Sequence, residues 1–205
     1  VNSNFRRYSN VRNQRGITGA QAARAVLDAN GLGDVQIEQI RGSLTDHYDP
    51  TNKTVNLSES VYNGANIAAA AVAAHECGHA LQHATAYAPL RMRSALVPVV
   101  SFASNWVMWI LLIGMLVINT FPHLMLFGII LFAMTTLFSF ITLPVEINAS
   151  KRAVAWLEQS GITDRQTTPM ASSALRSAAY TYVVAALASL VTLMYYILIF
   201  TSRRD

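Results

Sequence analysis

Hydrophobic and polar positions follow one kind of pattern up to about residue 93 and another beyond it. Over Thr18–Asn30, apolar residues recur at helical spacing (Ala22, Ala23, Val26, Leu27), with Thr18 placed as an N-cap and Gly31 as a stop. Val35, Ile37 and Ile40 alternate as in a short strand. The runs Leu44–Asp49 and Thr54–Ser58, joined by Pro50, Thr51, Asn52 and Lys53, predict a β-hairpin with a four-residue loop. An alanine-rich stretch then predicts a helix from about Asn66 to His83.

After Arg93, residues 94–145 contain no Asp, Glu, Lys or Arg. One bilayer crossing takes roughly 20 apolar residues, so the interval predicts two spans folded at Asn119-Thr120-Phe121-Pro122. Two crossings return the chain to its starting side and put Glu146 on the same face as the residues before Arg93. Pro144 suits a helix start or a kink. A third uncharged run, Ser177–Ser202, predicts another span ending at Arg203 and Arg204 on the opposite face. The expected architecture is mainly α: a membrane helical bundle with three visible spans and a small α+β catalytic region. The expected divisions are 1–93 (hairpin and alanine-rich helix), 94–145 (transmembrane hairpin), 146–176 (a further helix and loop) and 177–205 (transmembrane helix and basic tail).

Composition agrees with a membrane chain: 53% of the residues are hydrophobic and 13% charged, against roughly 25% charged in soluble domains. The net charge is +4. The basic residues stand in the N-terminal stretch (Arg6, Arg7, Arg12, Arg15) and beside the apolar runs (Arg91, Arg93, Lys151, Arg152), as at membrane flanks. No basic and aromatic residues interleave, so nucleic acid is not an expected partner. Cys77 is the sole cysteine, which excludes an internal disulfide and fits a reducing compartment.

The chemistry is concentrated at His75-Glu76-Cys77-Gly78-His79. Positions i and i+4 of a helix share a face one turn apart, so both imidazoles can reach one Zn²⁺. Glu76 then projects beside the metal, where it can take a proton from water and deliver it to a leaving amine. Cys77 points off the ligand face and is expected to be packed. A catalytic zinc takes three protein ligands plus water, and His47, His83, His123 and the carboxylates are the candidates for the third. His83 lies a further turn along the same helix, and His123 sits at the far turn of the membrane hairpin. His47 on the hairpin stays open, and Glu146 fits best, as the first charge after the second span.

These residues resemble the YugP-type bacterial neutral zinc metallopeptidases of the membrane. The resemblance runs from about Phe5 to Ile199. It rests on His75–Gln82, on Tyr87–Val100, on Leu143-Pro-Val-Glu146-Ile-Asn-Ala-Ser-Lys-Arg152-Ala, and on Leu44–Pro50 with Leu57-Ser58. It implies one zinc per chain, a zincin-like catalytic region, Glu146 as the third ligand as in gluzincins, and a further N-terminal span outside this sequence. The Glu146-x-x-Ala149 spacing is shared with HtpX-like membrane proteases. Those carry Asp after that Ala, where this chain has Ser150, so a carboxylate that would orient a histidine is missing at that place, and Asn148 becomes the candidate for the role.

In zincin-like folds an edge strand beside the active-site helix pairs with substrate backbone. Thr54, Val55, Asn56 and Leu57 are the candidates for that strand. His47, Tyr180, Tyr182 and Arg176 are candidates to stabilise an oxyanion. The expected function is a zinc-dependent endopeptidase of the bacterial cell membrane, multi-pass. The excess of basic residues on the metal face puts the active site on the cytoplasmic side. Its expected partners are the lipid bilayer and a polypeptide substrate such as a membrane protein or small peptide, with a regulatory membrane partner or a second copy as further candidates. One rival is a zinc-containing membrane scaffold that binds a partner protein, though a structural site has no use for Glu76. Another is a metal transporter, which needs ionisable groups inside its spans.

Overall fold

The computed structural model describes the backbone of residues 2–202 and the side chains of residues 5–202. Arg203 and Arg204, the expected charged end of the third span, lie outside the described residues. The elements in chain order are α1 (Asn2–Ser9), α2 (Gly19–Ala29), β1 (Gln36–Ile40), β2 (His47–Asp49), β3 (Thr54–Ser58), α3 (Glu59–Tyr62), α4 (Ile67–Ala84), α5 (Ala88–Leu116), α6 (Pro122–Gln159) and α7 (Thr168–Ser202). The fold is mainly α with a small three-stranded sheet, as expected. The chain forms two compact units. One comprises residues 1–87 and 145–180, the other residues 88–144 and 181–205.

In the first unit the local signals act as read. Thr18 caps α2 in a reciprocal capping box with Gln21, and Gly31 follows at φ +71°, a conformation that favours glycine. Asn66 caps α4 by accepting from the Ala69 N–H. The α4 helix runs through the middle of the core, with Ile67 to Ala71, Ala73, Ala74 and Cys77 all buried. Alanine suits that position because its small side chain lets other helices come close. Leu27, Leu57, Val61 and Leu157 complete the core. Each such fully buried side chain contributes about 1.5–3 kcal/mol of transfer free energy.

The hairpin forms in the expected antiparallel register, His47 opposite Asn56 and Asp49 opposite Thr54, with a shorter first strand than the pattern suggested. The strand order is β1-β3-β2. This corrects the reading of Thr54–Leu57 as an edge strand. β3 is central, flanked in parallel by β1 and antiparallel by β2, and all five of its residues are buried. Nothing within Thr-Val-Asn-Leu-Ser signals a central strand, because the parallel pairing with β1 is a long-range feature. The edge beside α4 is β2, whose Tyr48 hydroxyl lies 3.1 Å from His83 Nδ1.

The second unit holds α5, the first part of α6 and most of α7. Three helices, Ala88–Leu116, Pro122–Gln159 and Thr168–Ser202, are long and apolar enough to cross a membrane. α5 and α6 approach closely through glycines. A Cβ on Gly114 would stand 2.8 Å from Met125 N and Cα, and one on Gly128 2.8 Å from a Leu111 methyl. Met125, Leu111, Val107 and Ala103 pack there, with Leu193 and Tyr196 of α7 against them. Trp106, Trp109, Leu112 and Leu116 stay exposed. Such a surface suits lipid better than water. Pro144 starts no helix; it lies inside the continuous α6.

Candidate metal centre

The site belongs entirely to the first unit and depends on a close crossing of α4 and α6. A Cβ on Gly78 would stand 3.0 Å from Ala149 Cα and O and 3.1 Å from Ala149 Cβ. Glycine at 78 and alanine at 149 therefore let the two backbones nearly touch. Glu146, one turn before Ala149, then faces His75 and His79, which flank Gly78 on α4. This gives the Glu-x-x-Ala spacing a physical reason: the alanine makes the contact and the glutamate reaches across.

His75 Nε2 is 3.2 Å from Glu146 Oε2, His79 Nε2 is 3.7 Å from the same oxygen, and the two Nε2 atoms are 3.2 Å apart. Glu146 is buried, and the imidazoles are nearly so. Their outer nitrogens are both engaged. His75 Nδ1 is 3.1 Å from Ser150 Oγ, and His79 Nδ1 is 3.0 Å from Gln82 Oε1. A carboxamide oxygen only accepts, so His79 Nδ1 carries a proton and the Nε2 lone pair is free.

This donor set fits zinc. Ligand atoms held tetrahedrally at about 2.0–2.1 Å from an ion stand roughly 3.3 Å from one another, close to the three separations observed. Two ring nitrogens and a carboxylate oxygen pressed this close repel one another unless a proton or a cation lies between them. Burial lowers the pKa of His79, but the carboxylate of Glu146 and then that of Glu76 outweigh it and hold the imidazole above its ordinary value.

Glu76 is buried on α4, next to His75 in sequence. Cys77 is packed as expected, its Sγ 3.6 Å from the Ala23 carbonyl oxygen, and burial pushes its thiol far above the usual range. Among the described residues, the side chains grouped so that they could share a metal are His75, His79 and Glu146. The His47 ring is exposed, with Nδ1 2.8 Å from the Thr45 carbonyl and Nε2 3.3 Å from Asn56 Nδ2. Tyr180 is two-thirds exposed at 66%, and Tyr182 belongs to the second unit. Arg176 is exposed on α7. The hydrogen bonds of His75, His79 and Glu146 run to one another, to Ser150 and to Gln82.

Sequence reasoning missed two residues here. Ser150 takes up the very position where a missing partner was expected, because its hydroxyl reaches His75 directly. Asn148, the expected substitute, instead accepts from Gln82 Nε2 at 3.1 Å and from Arg152 Nε at 2.8 Å. Gln82, which the sequence analysis does not single out, is completely buried. A glutamine one turn after His79 on an otherwise alanine-rich buried helix was the available signal, since a buried amide needs partners.

Residues 1–201 match the family model described as "Putative neutral zinc metallopeptidase". The chain is 48% identical over 205 residues to the Bacillus subtilis (strain 168) protein named "Putative membrane protease YugP", covering all of this chain and 90% of that one. No solved structure matches the chain.

Proposed function

The chain belongs to the neutral zinc metallopeptidase family, and from that premise we propose that it is a membrane-embedded endopeptidase whose single zinc is held by His75, His79 and Glu146. The observation that carries the reading is the convergence of two Nε2 atoms and one carboxylate oxygen, each pair within 3.2–3.7 Å.

A zinc ion held by these groups would supply Lewis-acid activation of a water and of the substrate carbonyl. Glu76 accepts the proton of the attacking water and passes it to the departing amine. His75 and His79 stay neutral ligands, their outer N–H groups held by Ser150 and Gln82. Substrate backbone pairs with the open edge of β2, His47–Asp49, which takes over the role first expected of Thr54–Leu57. The catalytic region comprises residues 1–93 and 146–176, and the membrane part residues 94–145 and 177–205. The basic residues Arg6, Arg7, Arg12, Arg15, Lys151 and Arg152 flank the site in sequence, which favours a cytoplasmic active site. Because Glu146 follows an uncharged stretch without a linker, the substrate is a polypeptide cleaved near the bilayer.

The test is a pair of variants in detergent-purified protein, assayed with an unfolded protein substrate and by metal analysis. Glu76→Gln should retain one zinc per chain and lose cleavage; Glu146→Gln should lose both. Undiminished cleavage by Glu76→Gln, or stoichiometric zinc in Glu146→Gln, overturns the assignment.

A further inference from the structure

We infer that Gln82 is the positioning residue that sets the tautomer of His79 and ties it to the Glu146 backbone, and that Asn148 and Arg152 set the orientation of Gln82 in turn. The inference rests on the zinc reading above and extends it to groups that never touch the metal.

The argument is one of donors and acceptors. Arg152 has no acceptor, so its Nε donates to Asn148 Oδ1 at 2.8 Å. That fixes which end of the Asn148 amide faces inward. Gln82 meets the same oxygen at 3.1 Å and the Val145 carbonyl oxygen at 2.8 Å. Both are acceptors, so the Gln82 group between them must be its NH₂, which donates one hydrogen to each. Its carbonyl oxygen is thereby turned toward His79 Nδ1 at 3.0 Å, where it can only accept. His79 must carry its proton on Nδ1, and Nε2 is left for the metal. Every step is forced by the one before, beginning from a group that cannot reverse its role.

The same amide has a second effect. Val145 immediately precedes Glu146, so the 2.8 Å bond from Gln82 pins the backbone of one ligand while the carbonyl holds the ring of another. One side chain registers two ligands from two helices. Gln82 is completely buried, so an amide turned the other way would set its oxygen against two acceptors with no water to relieve them.

The test compares purified full-length variants by zinc dissociation constant, through competition with a chromophoric chelator, and by the visible spectrum of the cobalt-substituted protein. Gln82→Met keeps the volume and removes all three bonds. It should weaken zinc about 10- to 100-fold, the range for loss of a ligand's hydrogen-bond partner, and should shift or weaken the four-coordinate cobalt bands. Asn148→Leu should weaken zinc by about tenfold, whereas Asn148→Asp, which keeps the acceptor for Gln82 and Arg152, should stay within about threefold of the parent. This rescue is the readout that a merely structural role would not produce, and it carries the test if Gln82→Met does not fold. Zinc affinity and cobalt bands unchanged in Gln82→Met, or Asn148→Asp as weak as Asn148→Leu, overturns the inference. A parent protein that binds no zinc overturns the reading of the site itself.

Discussion

Gly78→Ala separates the metal geometry from the fold more cleanly than any ligand substitution, because it alters only the crossing of α4 and α6. The new methyl would meet Ala149 Cα and O at 3.0 Å and Cβ at 3.1 Å. Ordinary carbon contacts lie at about 3.5–4.0 Å, so the helices must part by roughly 0.5 Å. Two of the three obstacles are backbone atoms, which cannot rotate away. Metal–ligand distances tolerate only about ±0.2 Å, so this displacement exceeds what Glu146 can absorb without turning off its rotamer. Overpacking costs about 1–3 kcal/mol, while replacing glycine within a helix returns about 1 kcal/mol. Stability of the metal-free protein should therefore fall by no more than about 2 kcal/mol. Zinc affinity should fall about tenfold or more, and peptidase efficiency about 100-fold, the usual consequence of misplacing a catalytic group by a fraction of an ångström to one ångström. Chelator competition and denaturation of the apo protein give the two quantities separately. Adding Ala149→Gly should recover only part of the loss, since it removes one of the three contacts. Parental zinc affinity in Gly78→Ala would show that the close crossing does not set the ligand positions.

Three further outcomes follow from the same geometry. Ser150→Ala removes the partner of His75 Nδ1 and should weaken zinc about 10-fold, measurable by the same competition; an unchanged constant would make the 3.1 Å contact incidental. Cys77, buried with its thiol pKa raised, should resist alkylation in the native protein and react fully once unfolded, as mass spectrometry of iodoacetamide-treated samples will show. In the metal-free protein His79 is raised above its ordinary 6.5. A raised imidazole adds stability that is fully present below its unfolded value and is lost as the pH rises through the folded value. Zinc takes the neutral ring, so the rise in melting temperature on adding zinc should be larger at pH 8 than at pH 6; an equal or reversed difference refutes the assignment.

Much of this molecule is legible in the primary structure because its signals are local. The capping of α2 and α4, the hairpin over His47–Ser58, the apolar helices and the i, i+4 histidines each depend on neighbours along one element. The absence of charge over residues 94–145, which ends just before Glu146, is equally local. What only the tertiary structure decided is which elements lie side by side. The parallel pairing of β1 with β3 made Thr54–Leu57 central and left β2 as the edge. The near contact of Gly78 with Ala149 brought Ser150 to His75 and Gln82 to Val145 and Asn148. Hydrogen bonds across 63 to 75 residues of chain leave no periodicity to read, because a donor and its acceptor on different helices are matched by packing and not by spacing.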